Sequence, residues 1–389
     1  MKLLFASDSF KGSLSSEKTA ELLSKAAREI FGDCETSGVS VADGGEGTVD
    51  AVISAERGET VTVRVHGPLS DSTVEASYGI LPGGRAVIEM AAASGLPLVP
   101  DAQRNPLNTT TYGTGQLILD ALERGFRDIS IAIGGSATND GGMGCVRALG
   151  VKFLDADGAE LDGYGRDLIR VAHIDASGLD PRLKESVVTV MCDVTNPLCG
   201  EHGATYTFGA QKGATPDIQK ELEAGMCNYR DVIKREFGVN CDAIAGAGAA
   251  GGLGAALNVF LHGKMRSGIE TVLELIHFDD RLEGVDFVVT GEGRTDWQSC
   301  FGKVMQGVGV HAKAKGIPVV GLSGSLGRNA LDITAHGVES LMTTVNAPMP
   351  LQEALDNAEA LYYEGALRMF RFIRVGMSVA AKQARQRRV

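Results

Sequence analysis

The chain is poor in the residues from which metal and redox centres are usually built. Its 389 residues include seven histidines and seven cysteines, with no HxxxH, no CxxC and no local Cys/His cluster. That spread argues against a zinc site. An odd number of scattered cysteines, with Cys192 and Cys199 too far apart for a redox pair, reads as free thiols in a reducing cytoplasm. Positive charge is in deficit as well: 37 Lys and Arg against 49 Asp and Glu leave a formal charge of −12. This argues against nucleic acid or an anionic membrane as the main partner. The basic end, AKQARQRRV, is short and reads as a solvated tail. The opening MKLLFASDSFKGS turns polar after a brief apolar run and does not read as a signal peptide. The uncharged stretch Ile244 to Leu261 contains five glycines and Asn258 and has no basic flank, so it does not read as a membrane span. No G-x-x-x-x-G-K-[ST] occurs, which excludes an ordinary P-loop.

What is present is glycine, apolar residues and a regular alternation of short elements. Hydrophobic residues make up 44% of the chain, enough for real cores, and its length exceeds the size at which one core usually stops growing. KLLFAS reads as a strand, and Ser15 or Ser16 caps the helix that follows, with Glu17 in its first turn. TSGVSVADGG and GTVDAVISA read as the next strand and helix. Near the other end, VDFVVTGEG, KVMQGVGVHAKAKG and IPVVGLSG repeat strand, helix, strand, the pattern of a parallel sheet wound with helices. After Arg57 the period changes to two, with a turn at PGG, which predicts antiparallel hairpins. The middle adds TGQLILDALERG as a helix, DISIAIGG and SVVTVMCDVTN as strands, and PDIQKELEAGMCNYRDVIKREFG as a long helix. The expected fold is therefore α/β with two domains. A Rossmann-like parallel-sheet domain is built from both chain ends, residues 1–57 and 268–389, and a mixed α/β domain, residues 58–267, is inserted. Ligands then bind at the carboxyl ends of strands, in the cleft between the domains.

Those strand ends carry most of the chemistry in the chain. Asp8, Ser9, Lys11 and Ser13 follow the first strand; Asp43, Glu46 and Thr48 follow the second. GGSATNDGG, from Gly134 and Gly135 through Ser136, Thr138, Asn139 and Asp140, ends a central strand. Asp193, Thr195 and Asn196 end another, and Gln211 and Lys212 lie a little further on. Glu292, Arg294, Asp296 and Gln298 end a late strand, with Lys303 just beyond. A single Gly/Asp loop after a strand is ordinarily a turn; six such loops are more than turns require. Glycine lets backbone N–H groups approach an anion, Lys and Arg supply cations, and carboxylates hold Mg²⁺ or accept a hydroxyl proton. The combination fits a kinase acting on a small hydroxylated anion.

Three other motifs compete with that view. Gly246 to Gly251, GAGAAG, matches G-x-G-x-x-G with Glu270 about twenty residues on, but its lead-in FGVNCDAIA is short and polar, so close packing of helices or a loop facing a nucleotide is favoured over NAD binding. GLSGS around Ser323 is an imperfect nucleophile elbow and reads as a strand-to-turn junction. Trp297, the one tryptophan, either packs in its loop or covers part of the ligand. A sugar-acid sensor is the non-catalytic alternative, and no output module such as a helix-turn-helix or coiled coil accompanies it.

Taken in order, DSFKGSLS, VADGGEGT, GGSATNDGGMG, DVTNPLCG with GATYTFGAQKGA, GAGAAGGLGA, and TGEGRTDWQ with its GK resemble the motif set of the bacterial glycerate kinase family of glycerate 2-kinases. They run from Asp8 to Lys303. Ala210 stands where that family's pattern has proline, and Trp297 and the residues between Gln298 and Lys303 also depart from it. The resemblance implies ATP- and Mg²⁺-dependent phosphorylation of (R)-glycerate, at the 2-hydroxyl, in the cytoplasm; a glycerate 3-kinase or a kinase of a related hydroxy acid is the alternative. Residue type and resemblance together assign the roles. Lys11 and Arg294 hold the substrate carboxylate or the phosphate. Asp193 positions the attacking hydroxyl, with Asp43 and Asp296 next in line, and Glu292 with Asp193 holds Mg²⁺. The remaining strand-end groups, including Asp8, Ser9, Ser13, Asn196, Gln211, Lys212, Lys303 and the loop from Gly134 to Asn139, bind substrate or phosphate. Monomer and homodimer both remain open.

Overall fold

The structure is a computed structural model and describes residues 1–387. By its internal contacts the chain divides into two compact units, Met1–Asp43 with Val272 onward, and Gly44–Thr271.

In the first unit five short strands form one sheet in the order Val338–Thr343, Val319–Ser323, Phe287–Thr290, Lys2–Phe5, Glu35–Gly38. All neighbours are parallel, with Leu3 opposite Phe287 on one side and Thr36 on the other. The helix Ser16–Phe31 starts because the Ser15 side chain accepts from the Lys18 N–H, and it ends at Gly32, whose φ of 70° lies in the left-handed region. Leu22, Leu23, Ala26, Ala27 and Ile30 fall on its buried side, the spacing of one helical face. The helix Ala358–Gln386 completes that core through Tyr362, Met369 and Phe370; the Phe370 ring meets Phe5, Phe31 and Phe287. Because every strand runs the same way, all five carboxyl ends share one edge. The strand order changes direction between Lys2–Phe5 and Phe287–Thr290, where a crevice is expected.

The second unit has a six-stranded sheet, in the order Lys264–Arg266, Val187–Met191, Asp128–Ala132, Arg85–Glu89, Thr73–Leu81, Glu59–His66. The period-two segment forms the antiparallel part, Glu59–His66 on Thr73–Leu81 and Thr73–Leu81 on Arg85–Glu89, and the other pairings are parallel. The helix Pro216–Phe237 is delimited by local chemistry: the Thr215 side chain accepts from the Ile218 N–H, Pro216 opens the first turn, and Gly238 closes it with φ 70°. The helix Thr48–Glu56, grouped by its sequence position with residues 1–57, belongs to this unit. Its Val49 and Ile53 side chains lie against Gly79 of the hairpin, and the Val49 N–H donates to Glu89 at 2.7 Å. An amphipathic period identifies an apolar face but not the sheet that receives it.

Among the described residues no helix is long and apolar enough to cross a membrane. The stretch Ile244–Leu261 instead forms a tight turn and the short helix Leu253–Leu261.

Candidate active site

In the first unit, eight of the side chains singled out above line one cavity of about 490 Å³: Asp8, Ser9, Lys11, Ser13, Asp43, Glu292, Arg294 and Lys303. They come from the loops after three adjacent strands, together with the start of the helix Val304–Ala314. The Lys303 ammonium donates to Asp43 Oδ2 at 2.6 Å. Burial, and then the neighbouring Asp43 charge, push the Asp8 carboxyl up to about 6. Burial also raises Glu292, whose Oε1 accepts from the Ser299 hydroxyl. Burial alone would lower Lys303, but Asp43, Asp8 and Glu292 outweigh it and hold its pKa above the ordinary lysine value. Three carboxylates and three cations around one small volume can accommodate a polyanion together with a hard divalent cation. The donor set of Asp8, Asp43 and Glu292 is all oxygen, as Mg²⁺ prefers.

The cavity also has an apolar wall for which the sequence raised no expectation, formed in part by Phe10, Val345, Leu351, Leu355 and Tyr362. The one available signal was that Val338–Thr343 is a fifth parallel strand whose carboxyl end, with Thr344 and Val345, reaches the same edge. Asp296 does not line this cavity. Its carboxylate caps the turn Trp297–Cys300 by accepting from the Gln298 N–H at 2.9 Å, and lies 3.6 Å from Arg294. Trp297 is half exposed and sets its ring edge-on to Phe301, also outside the cavity lining. Ser323 is buried and shares a 2.7 Å hydrogen bond with Thr295, as befits a strand-to-turn junction.

In the second unit the glycine-rich loop follows the strand Asp128–Ala132. Gly134 and Gly135 are exposed, whereas Thr138, Asn139 and Asp140 are completely buried. Asp140 organises the loop: its carboxylate accepts from the Thr111 N–H and hydroxyl, both at 2.7 Å, and from the Gly142 and Gly144 N–H groups. Lys212 is buried too, and its ammonium donates to Ser136 Oγ at 2.7 Å and to the Thr138 carbonyl at 2.6 Å. Burial pulls its pKa down to about 7, against the attraction of Asp140. Gln211 beside it is exposed, and Asn196 donates to the His202 carbonyl at 2.8 Å. Asp193 is exposed at the end of Val187–Met191; its Oδ1 accepts from Ser267 Oγ and the Gly268 N–H, both at 3.0 Å.

GAGAAG packs against this loop. The Gly141 N–H donates to the Gly251 carbonyl at 2.9 Å, and a Cβ on Gly251 would lie 2.0 Å from the Thr138 carbonyl oxygen. The glycines are there so that two backbones can touch, which is the packing role and not a dinucleotide cradle.

These features define a mixed α/β protein whose parallel strands present cations, carboxylates and glycine at their carboxyl ends, the equipment for handling small phosphorylated anions. The chain belongs to the glycerate kinase family, whose pattern it matches over residues 3–374. It is 46% identical to the glycerate 2-kinase of Escherichia coli K12, across 99% of this chain and 100% of that protein. It is 45% identical to a glycerate kinase of Halalkalibacterium halodurans, over 94% and 96% of the two chains. A crystal structure of a glycerate kinase 2 candidate from Salmonella typhimurium LT2 superposes with a TM-score of 0.87 at 44% identity, covering 97% of this chain and 99% of that one.

Proposed function

We propose that the protein is a glycerate 2-kinase that transfers the γ-phosphoryl group of ATP to the 2-hydroxyl of (R)-glycerate, releasing ADP. The observation that carries this reading is the cavity where Lys11, Arg294 and Lys303 face Asp8, Asp43 and Glu292. The cations take the polyphosphate, Lys as point charges and Arg as a planar fork. The apolar wall at Val345, Leu351 and Leu355 takes the adenine. Asp8 and Glu292 would hold Mg²⁺, which when bound neutralises charge on the transferring phosphate.

Asp193 is the acid that orients the attacking hydroxyl and accepts its proton as the oxygen–phosphorus bond forms and the bond to the leaving ADP oxygen breaks. Its hydrogen bonds from Ser267 and Gly268 fix the carboxylate in direction. Gly134, Gly135 and Ser136 supply the glycerate or phosphate contacts of the glycine-rich loop. Thr138 and Asn139 support that loop from beneath. The two units are the functional domains of a cytoplasmic enzyme.

The test is to incubate the purified protein with Mg-ATP and (R)-glycerate and follow ADP release with phosphorus NMR of the product. ADP with 2-phosphoglycerate is expected. The 3-phosphate would retain the kinase and overturn the regiochemistry; no ADP from folded protein would overturn the activity.

A further inference from the structure

On the helix Pro216–Phe237, Glu223 and Cys227 stand one turn apart, and Cys199 meets them from the loop that follows Pro197. One ligand atom from each residue, two Sγ and a carboxylate oxygen, all lie within 4.8 Å of one another. The cluster is held in place from several sides. Glu223 Oε1 accepts from the Gly200 N–H at 2.6 Å and from the Cys227 thiol at 3.7 Å. The Cys199 N–H donates to Asp242 Oδ1 at 3.1 Å, and Asp242 Oδ2 pairs with Arg230 at 3.0 Å. One atom is left over: Glu223 Oε2 is buried and has no hydrogen-bond partner. A buried carboxylate oxygen without a donor is costly, and nothing in the protein around it accounts for it.

We infer that Cys199, Cys227 and Glu223 form a binding site for a thiophilic divalent cation, Zn²⁺ being the best match to two sulfurs and one carboxylate. Three protein ligands leave one position of a tetrahedron for water or another small ligand. Two thiolates, one carboxylate and Zn²⁺ sum to a single negative charge, near the Arg230 guanidinium that also pairs with Asp231 and Asp242. Binding releases the two thiol protons to solvent. The cation joins the Cys199 loop to the long helix, and so braces the segment between Asn196 and Lys212. The sequence hides the site because its cysteines are far apart and its third ligand is an acid; a search for CxxC or HxxxH spacing passes over it. A disulfide between the two cysteines would use neither Glu223 nor its unpartnered oxygen. Its test reads metal binding directly and is independent of the activity.

The experiment uses the full-length, reduced, chelator-stripped protein titrated with Co²⁺ and then displaced with Zn²⁺. One equivalent of Co²⁺ with sulfur-to-metal charge-transfer absorption is expected. That absorption is lost in Cys199→Ser and Cys227→Ser, Glu223→Gln weakens binding roughly tenfold or more, and Cys34→Ser leaves it unchanged. Circular dichroism of each variant checks folding. In the unmodified protein Zn²⁺ protects Cys199 and Cys227, mapped by mass spectrometry, from alkylation, a readout that needs no variant. The inference is overturned by a folded protein with no thiolate absorption, by absorption that survives both serine variants, by alkylation indifferent to Zn²⁺, or by a Cys199–Cys227 disulfide with no metal retained after reduction.

Discussion

Lys303 and Asp43, 260 positions apart in the chain, form a 2.6 Å ion pair at the rim of the first unit's cavity. Both side chains keep partial contact with solvent, so the pair itself contributes little to stability, on the order of 0.5–1 kcal/mol in a double-mutant cycle. Its larger effect is to hold the ammonium where a phosphate oxygen is expected. Lys303→Met should weaken nucleotide binding by about tenfold, roughly 1.4 kcal/mol, while lowering the melting temperature by no more than about a few degrees. Calorimetric titration with ATP checks this; unaltered affinity would remove Lys303 from the phosphate site.

Asp8 titrates near 6 in the free protein because burial and the Asp43 charge both oppose its ionisation. In the proposed site the ionised form would hold Mg²⁺, so kcat/KM should fall as pH drops through about 6. Raising Mg²⁺ should move that inflection lower, since the cation binds only the ionised form. Asp43→Asn, which removes one cause of the shift, should move it lower as well. A pH–rate profile whose acid limb ignores both Mg²⁺ and Asp43→Asn would exclude Asp8 as its source.

For Asp193, replacement by Asn keeps an oxygen for Ser267 and Gly268 but removes the proposed proton acceptor. Turnover should drop by about 10²–10⁴-fold while KM and the melting temperature stay near those of the unaltered protein. A near-normal rate would reassign the role.

Lys212 gives a stability signature with a definite sign. Its folded pKa is depressed to about 7 from 10.5, so between those values the unfolded chain binds the more protons. Its contribution to stability therefore rises with pH across that window and is smallest below about 7. Denaturant melts of the wild type and Lys212→Met, taken through that range, should show the difference between them changing by several kcal/mol at most, at about 1.4 kcal/mol per pKa unit. Parallel curves would mean the ammonium is not desolvated.

Gly251 has φ +66°, and a Cβ there would collide with the Thr138 carbonyl oxygen. Gly251→Ala should cost about 1–3 kcal/mol or more and loosen the glycine-rich loop. Thermal denaturation checks the cost, and the absence of any NAD affinity in either form accompanies it.

Much of the architecture was legible in the sequence because it depends on local physics. Ser15 caps Ser16–Phe31, Thr215, Pro216 and Gly238 bound the long helix, and the period-two run after Arg57 pairs as hairpins. The polar groups at strand ends were legible for the same reason, since apolar runs that stop at glycine and acid mark their own termini. In the first unit eight of those groups line one cavity. Other features were decided only by packing. Asp296 became a cap, Thr138 and Asn139 were buried completely, and Thr48–Glu56 settled on the hairpin rather than with the terminal strands.

What the sequence determined by itself, then, is the set of elements and the chemistry at their ends, since capping, periodicity and turn formation act over a few residues. What only the tertiary structure decided is which of those ends meet. In a parallel sheet, strands remote in sequence bring their carboxyl ends to one edge, so Asp43 finds Lys303 and Thr344 reaches the wall beside Phe10. Cys199 finds Glu223 and Cys227 through the packing of a loop on a helix, a juxtaposition that no spacing along the chain encodes.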